Sequence, residues 1–358
     1  MTSLISNSRD GAAEKAQARA ALVGWAQQNG LLFAVILLVV AISLATSNFM
    51  TTSNIAVVLL QVSVTGLIAV PGAMLLLSGY VDLSVGSVGV LSAVVFGALV
   101  ASGVPVGPSV VVALGVGMAW GAINGFLIAY LGFSPIVVTL AGMAGARGIA
   151  QTMTDGIPTS GFGDTFGLLG NGMFLGLALP VWVTIAVFLI GGCVWYLMPY
   201  GRYRTAIGAD REAAGALGLP LNRLPLLLYM ASGTAAALGG LVVASQLDSA
   251  SLSIGIGQEL DVLTAVLLGG VSFMGGRGSL FGVLYGVLFI GVLRNGIVLM
   301  NISPFAVDIA IGLALAFAAG LDVLSRRLER VQLTYDAVSD DTAKPAQLGS
   351  SDNVKVSK

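Results

Sequence analysis

The stretch IAVVLLQVSVTGLIAVPGAMLLLSG occupies residues 55–79 and contains no charged side chain. A helix of about 20 apolar residues is long enough to cross the hydrocarbon core of a bilayer. The rest of the chain is similar, because 56% of its 358 residues are hydrophobic and only 9% are charged. Soluble domains carry about 25% charged residues. The composition therefore predicts a polytopic membrane protein.

Further apolar segments on both sides of this stretch predict an all-α bundle of about ten transmembrane helices. We place them at 31–47, 55–79, 84–101, 109–131, 135–153, 178–198, 225–245, 258–274, 279–300 and 304–324. The second and the eighth run into glycine-rich polar stretches, so some segments are expected to be broken or re-entrant. The 49 glycines favour close helix packing in lipid.

The basic residues predict the orientation, because Lys and Arg accumulate in the short loops on the cytoplasmic side. With ten spans and an inside N-terminus, the inner face receives Arg9, Lys15, Arg19, Arg202, Arg204, Arg211, Arg223, Arg277, Arg326, Arg327 and Arg330. The outer loops carry acidic residues and no Lys or Arg. Both termini are therefore expected in the cytoplasm.

Three regions follow from this reading. Residues 1–29 form a cytoplasmic N-terminal tail, 30–328 a transmembrane domain, and 329–358 a cytoplasmic tail that is expected to be disordered because it lacks apolar periodicity. A basic cytoplasmic loop, residues 200–224, separates the sixth and seventh spans.

Polar side chains within the spans are costly and are the candidates for a translocation pathway. They are Asp82, Ser84, Ser87, Asn124, Thr139, Arg147, Arg294 and Asn295. Each has a structural alternative. Asp82 can instead cap the following helix, Asn124 and Thr139 can bond between helices, and the two arginines can extend toward the outer interface.

Acidic residues in the predicted outer loops form a second candidate site. They are Asp155, Asp164, Glu259 and Asp261. A surface of this kind can dock an extracytoplasmic protein, or it can be a loop with no partner.

The cytoplasmic loop contains DREAAGALG at residues 210–218. Asp210 is a suitable N-cap for a short helix, and Gly218 and Pro220 are suitable to end it. The small side chains between them allow the helix to enter a groove on another protein. The alternative is a surface helix that only caps the bundle.

Several classes of function lack support in the sequence. There is no G-x-x-x-x-G-K-[ST] phosphate loop, no histidine and no clustered set of metal ligands, so neither catalytic nor metal-binding residues are assigned. The net charge of −1 argues against binding nucleic acid. The single Cys193 is interpreted as a small core residue.

The loop resembles the EAA-type coupling loop of ABC importer permeases, because Glu212-Ala213-Ala214 is followed by Gly218. The run GRYRTAIGADREAAGALGL is similar to the version found in ribose/xylose/arabinose-type sugar permeases. Similar motifs occur in the same order along the chain: DLSVGS at 82–87, INGFLI at 123–128, ARG at 146–148, ELD at 259–261 and LLGGVSFMGGRGS at 267–279. Arg294 departs from the family, in which an asparagine pair is expected before Gly296.

The resemblance implies a type II ABC importer-like bundle in a bacterial inner membrane. It implies contact with a cytoplasmic ABC ATPase through Arg211, Glu212, Ala213, Ala214 and Gly218. It further implies a second permease copy, either identical or a close paralogue, and a periplasmic or lipid-anchored sugar-binding protein. No cofactor is expected in this chain, and ATP and Mg belong to the partner ATPase.

The resemblance leaves the transported sugar open, and a different class of protein stays possible from the residues alone. An ion-coupled secondary transporter of a small polar solute would use carboxylates inside the spans, and Asp82 and Asp308 are the main candidates. A weak internal repeat between residues 76–91 and 267–284 fits either kind of transporter.

Overall fold

The computed structural model describes residues 30–303 and 305–320. The predicted tails, 1–29 and 329–358, lie outside the described residues, as do residues 321–328. The chain divides into two compact units, Met1–Ala318 and Ala319–Lys358. Every contact discussed below lies in the first.

Helices dominate the described part of the chain. They are α1 Gly30–Ala45, α2 Thr52–Leu77, α3 Val85–Ala101, α4 Val106–Ala129, α5 Pro135–Thr154, α6 Asp164–Asn171, α7 Leu179–Gly192, α8 Pro199–Ala209, α9 Arg211–Ala216, α10 Arg223–Leu247, α11 Gln258–Leu268, α12 Leu280–Leu299 and α13 Phe305–Gly320. A π-helical turn, Cys193–Leu197, extends α7. The strands have two residues each: β1 Thr159–Ser160, β2 Met173–Phe174, β3 Leu177–Ala178 and β4 Ser249–Ala250.

The prediction of an all-α polytopic membrane protein is confirmed. Within the described residues, α2, α4, α5, α7 with its π-helical turn, α10 and α12 are long and apolar enough to cross a membrane. Three shorter apolar helices, α1, α3 and α13, match three more predicted spans. The eighth prediction, 258–274, was too long, because α11 ends at Leu268 and Gly270 turns the chain with a φ of +78°.

The helices end at two opposite faces of the bundle. At one face the amide of Gly276 donates to the carbonyl of Leu77 at 2.8 Å, and Gly208 of α8 packs against both residues. We call this the inner face after its predicted orientation. At the other, the outer face, Thr159 of β1 pairs with Ala250 of β4.

The centre of the bundle is formed by α2, α3 and α10, and glycines bring the helices around them close together. A Cβ on Gly121 of α4 would lie 2.8 Å from the carbonyl carbon of Tyr229, and one on Gly240 of α10 would lie 2.7 Å from the Cα of Gly89. Gly115, by contrast, has open space beside it. Close packing therefore accounts for some glycines of the predicted small-residue surfaces but not for all.

Two spans are helical over only part of their length. Residues 78–84 run without helical structure from the end of α2 to α3, and residues 251–257 precede α11. With 11 residues, α11 is about 16 Å long, roughly half of a 30 Å hydrocarbon core. The two meet inside the bundle, where a Cβ on Gly86 would lie 2.6 Å from the Glu259 carboxylate. We call residues 78–84 together with α3 the first broken span, and residues 251–257 together with α11 the second broken span.

The weak repeat in the sequence corresponds to similar local structure. Each copy begins at the C-terminal end of a helix, α2 or α11, and each turns at a glycine of positive φ, 81° at Gly79 and 78° at Gly270. Both turns lie at the inner face. The first copy then re-enters the bundle, whereas the second stays at that face until α12 begins.

Candidate functional site

Asp82 is the centre of the first broken span. Its Oδ1 accepts hydrogen bonds from the Ser84 amide at 3.0 Å and the Ser84 hydroxyl at 2.6 Å, and its Oδ2 accepts one from the Ser232 hydroxyl of α10 at 2.8 Å. The N-cap of α3 is Ser84 rather than Asp82. The carboxylate is therefore held by three neutral donors, and it does not cap α3, which was the structural alternative for this residue.

Other predicted pathway residues join Asp82. The side-chain amide of Asn124 on α4 donates to the Ser84 hydroxyl at 3.0 Å. Arg147 on α5 donates to the Ser87 hydroxyl at 3.4 Å and to the Leu252 carbonyl at 3.2 Å. We define the polar cluster as Asp82, Ser84, Asn124 and Ser232, which hydrogen bonds link, together with the Arg147–Ser87 pair one turn along α3.

Ser232 is the member of this cluster that the sequence analysis missed. It lies in ASGTAAA, where a serine among small residues is typical of ordinary helix packing. Its hydrogen bond to Asp82 depends on the approach of α10 to the first broken span. No local sequence pattern predicts that approach.

Three predicted pathway residues lie outside the cluster. Thr139 is fully buried and donates to the carbonyl of Pro135 in its own helix at 2.8 Å. Arg294 forms an ion pair with Asp261 at 2.6 Å. Asn295 exchanges two amide hydrogen bonds, at 2.9 and 3.0 Å, with Asn54 of α2.

The placement of Glu259 and Asp261 in an outer loop was wrong. Both lie in the first turn of α11, which begins inside the bundle after residues 251–257 return from the outer face. Glu259 lines a narrow crevice together with Asp82, Gly72 and Val262. The two broken spans therefore bring carboxylates to one place, while Asp155 and Asp164 remain exposed at the outer face.

The short helix α9, Arg211–Ala216, lies at the inner face and is the predicted coupling helix. Asp210 caps α9 by accepting a hydrogen bond from the Ala213 amide at 2.9 Å, as the sequence predicts. Glu212 and Ala213 are exposed, whereas Ala214 is buried against the bundle. Beyond the helix, Gly218 has a φ of +75° and Leu217 is 78% exposed. The result is a short exposed helix with an apolar residue at its end.

Arg204 anchors α8 to the end of α7. Its guanidinium lies 3.5 Å from the centre of the Trp195 ring and donates to the Trp195 carbonyl at 3.4 Å. Burial lowers the pKa of Arg204 to about 10, so the side chain stays charged near neutral pH. The same π-helical turn carries Cys193, which is exposed, so its interpretation as a core residue was wrong.

Arg211, the first residue of α9, reaches the first broken span. It donates a hydrogen bond to the hydroxyl of Tyr80, and its guanidinium carbon lies 5.8 Å from the centre of the Tyr80 ring. A cavity of about 480 Å³ lies beside this contact, lined also by Ile128, Ser134 and Gly208. The coupling helix is thus in contact with the segment that carries Asp82.

These groups are suited to hydrogen bonding with a polar solute. Hydroxyls, amides, carboxylates and one arginine lie around the broken spans, and the described residues contain no group of three or more His, Cys, Asp or Glu placed to hold a metal ion. Uncharged hydroxylated molecules are recognised by such hydrogen-bonding groups.

Comparisons with known proteins identify the family of this chain. The family model described as "Branched-chain amino acid transport system / permease component" matches residues 54–319. The ribose import permease protein RbsC of Bacillus subtilis is 35% identical over 301 residues, which cover 84% of this chain and 94% of that protein. RbsC of Escherichia coli K12 is 35% identical over 288 residues, covering 78% and 89%.

The L-arabinose transport system permease protein AraH of Escherichia coli K12 is 34% identical over 315 residues, covering 85% of this chain and 92% of that protein. No solved structure gives a significant match. The family model and the relatives each extend over most of the helical bundle, including the broken spans and α9. The chain therefore belongs to the permease-component family of branched-chain amino acid transport systems and is a multi-pass membrane transport protein.

Proposed function

We propose that this chain is the transmembrane permease subunit of an ATP-binding-cassette importer for a monosaccharide of the ribose or arabinose type. The observation that carries the proposal is its similarity to ribose and arabinose permeases over about four fifths of its length. The family description names amino acids, but these relatives are named for pentoses, and the hydroxyl- and amide-rich polar cluster suits a sugar.

The proposal assigns separate tasks to the two ends of the bundle. Arg211, Glu212, Ala213, Ala214 and Gly218 meet a cytoplasmic ABC ATPase, which binds ATP and Mg. Asp155 and Asp164 belong to the outer surface that receives a periplasmic or lipid-anchored sugar-binding protein. The polar cluster lies between them, on the route of the solute.

Assembly and orientation complete the proposal. A second permease copy, identical or closely related, forms the pathway with this chain in a bacterial inner membrane. The tails 1–29 and 329–358 then lie in the cytoplasm and flank the permease domain, 30–328. The basic residues Arg202, Arg204, Arg223 and Arg277 support this orientation, because all lie on the side of α8 and α9.

The test is reconstitution of the chain in proteoliposomes with its ATPase and binding protein. Labelled ribose and arabinose are offered with ATP, or with an imposed ion gradient and no nucleotide. ATP-dependent uptake of either sugar is the expected result. Uptake by the chain alone on an ion gradient would replace the proposal with an ion-coupled carrier.

Orientation is tested with a membrane-impermeant thiol reagent on intact cells. Ala213→Cys in a Cys193→Ser background is expected to be protected until the cells are opened, and Thr165→Cys on α6 is the matched outer position. Labelling of Ala213→Cys in intact cells would place α9 on the wrong side for an ATPase.

The ATPase contact is tested by charge reversal. Glu212 is exposed and its carboxylate accepts no hydrogen bond from the described residues, so Glu212→Arg is expected to insert normally but to lose most of the co-purifying ATPase. Glu212→Gln removes the charge without reversing it and is the milder companion. Unchanged co-purification of both variants would remove this surface from the proposal.

A further inference from the structure

The coupling helix and the first broken span are joined by one side chain from each. Arg211 begins α9, and it both donates to the Tyr80 hydroxyl and lies over the Tyr80 ring. Tyr80 is buried and stands two positions before Asp82. An exposed helix at the inner face is therefore connected to the interior of the bundle within a few residues.

Tyr80 in turn is fixed to α10. Its ring packs edge to face on Tyr229, with the centroids 6.3 Å apart and the planes at 74°. The Tyr229 hydroxyl donates to the Val81 carbonyl at 2.8 Å, and Ser232 donates to Asp82 at the same distance. Residues 80–82 are thus held as a unit along one turn of α10, so a displacement of Tyr80 reaches the Asp82 carboxylate.

The preceding helix, α8, also approaches this part of the inner face, but it does so through small residues. A Cβ on Gly208 would lie 2.8 Å from the amide of Gly276, and Ala209 lies against the same glycine. These surfaces pack closely but lack the directional hydrogen bond that Arg211 makes. The 480 Å³ cavity next to Arg211 and Tyr80 gives the arginine room to change position with α9.

We infer that the Arg211–Tyr80 contact is the positioning contact through which movement of α9 reaches residues 78–84 and the polar cluster. The inference rests on the proposed function, because an ATPase has to move α9. In this inference α9 and residues 78–84 move together between two arrangements. Nucleotide binding by the partner ATPase shifts the equilibrium between these arrangements.

The test compares sugar imported per ATP hydrolysed by the complete transporter. Tyr80→Phe keeps the buried ring and removes the hydroxyl, and Arg211→Ala removes the donor. Tyr80→Phe is expected to assemble with the ATPase and to hydrolyse ATP. Arg211 belongs to the proposed ATPase contact, so Arg211→Ala is compared per assembled complex. In both variants the ratio is expected to fall about fivefold or more, the lower range of typical coupling between sites. Arg211→Lys keeps the charge but not the planar fork, so partial recovery is expected.

The double variant Arg211→Ala/Tyr80→Phe should transport no worse than Arg211→Ala, because both changes break the same contact. Tyr285→Phe on α12 is the matched control, since it removes a tyrosine hydroxyl outside this contact. If the variants lower only the yield or the melting temperature and leave the ratio intact, the contact is merely structural and the inference fails.

A second measurement does not depend on the sugar. In a Cys193→Ser background, Leu83→Cys places a thiol beside Asp82. In the assembled complex, ATP is expected to change the rate at which this thiol reacts with a small thiol reagent. Tyr80→Phe, which leaves the ATPase surface intact, should abolish that change, and persistence of the change would overturn the inference. Failure of sugar uptake in the unmodified transporter would instead count against the proposed function.

Discussion

The two broken spans bring carboxylates to the same region and hold them in different ways. In the first, Asp82 accepts three hydrogen bonds from the Ser84 amide and the Ser84 and Ser232 hydroxyls. In the second, Asp261 is paired with Arg294 of α12, and the side chains are 15% and 37% exposed. One carboxylate depends on neutral donors from two segments, and the other on a single cation.

This difference indicates how the two regions contribute to the bundle. The donors around Asp82 come from residues 78–84 and α10, so their loss affects the packing of the centre. The Asp261–Arg294 pair joins the neighbouring antiparallel helices α11 and α12, and its side chains are only partly buried. The first broken span is therefore expected to tolerate less change than the second.

Asp82→Ala is expected to have the largest effect. It leaves buried donors on Ser84 and Ser232 unpaired, and each unpaired donor costs about 1–3 kcal/mol. Thermal unfolding in detergent should show a large drop in melting temperature. Asp82→Asn keeps an acceptor oxygen and should recover part of the loss; equal melting temperatures for Asp82→Ala and the parent would contradict the assignment.

Glycine contacts of both spans provide the next test. Gly240→Ala forces a methyl group onto the backbone of Gly89 on α3, and Gly282→Ala forces one onto the backbone of Gly269 at the end of α11. Each is expected to cost about 1–3 kcal/mol through overpacking, measured by the same unfolding assay.

Gly115→Ala is the matched control for these changes, because Gly115 lies within α4 and has open space beside it. It should raise stability by up to about 1 kcal/mol through helix propensity. Equal effects at Gly115 and Gly240 would show that the contacts do not set the cost.

Breaking the Asp261–Arg294 pair should cost less, about 1 kcal/mol for Asp261→Asn or Arg294→Gln, because partly exposed ion pairs contribute little. The double variant should be no less stable than the worse single one, since neither charge is then left alone. Melting temperatures in low and high salt measure this, and strictly additive losses would argue against a paired role.

The smallest effect is expected at Asn54→Ala, which removes the reciprocal amide pair with Asn295 between α2 and α12. Interhelical hydrogen bonds in membrane proteins average about 0.6 kcal/mol. Asn295→Ala and the double variant complete a mutant cycle. A loss as large as that of Asp82→Ala would mean that the helix ends, rather than the broken spans, dominate stability.

Hydropathy predicted most spans because long apolar helices such as α2 and α10 are specified by composition alone. It failed at α11, where apolar residues continue past Gly269 and Gly270 although the backbone turns there. That turn depends on the close approach of Gly282. Counting apolar residues does not detect contacts between helices.

Some polar residues of the candidate site were predicted from the sequence, and others were misplaced or missed. Asp82, Ser84, Ser87 and Asn124 stand out in apolar surroundings. Hydrogen bonds join Asp82, Ser84 and Asn124, and Ser87 lies one turn further along α3. Asp261 was misplaced because the chain returns into the bundle before α11 begins. Tyr229 and Ser232 gave no signal, since their roles arise only when α10 packs against residues 78–84.

The length of α11 also affects how this protein enters the membrane during synthesis. A helix of 11 residues with two acidic side chains in its first turn is a poor membrane-insertion signal by itself. Its glycine contacts with α12 and its charge partner Arg294 exist only after α12 has been made. We therefore expect insertion of α11 to wait for the chain behind it, so that the two helices enter the bilayer as a hairpin.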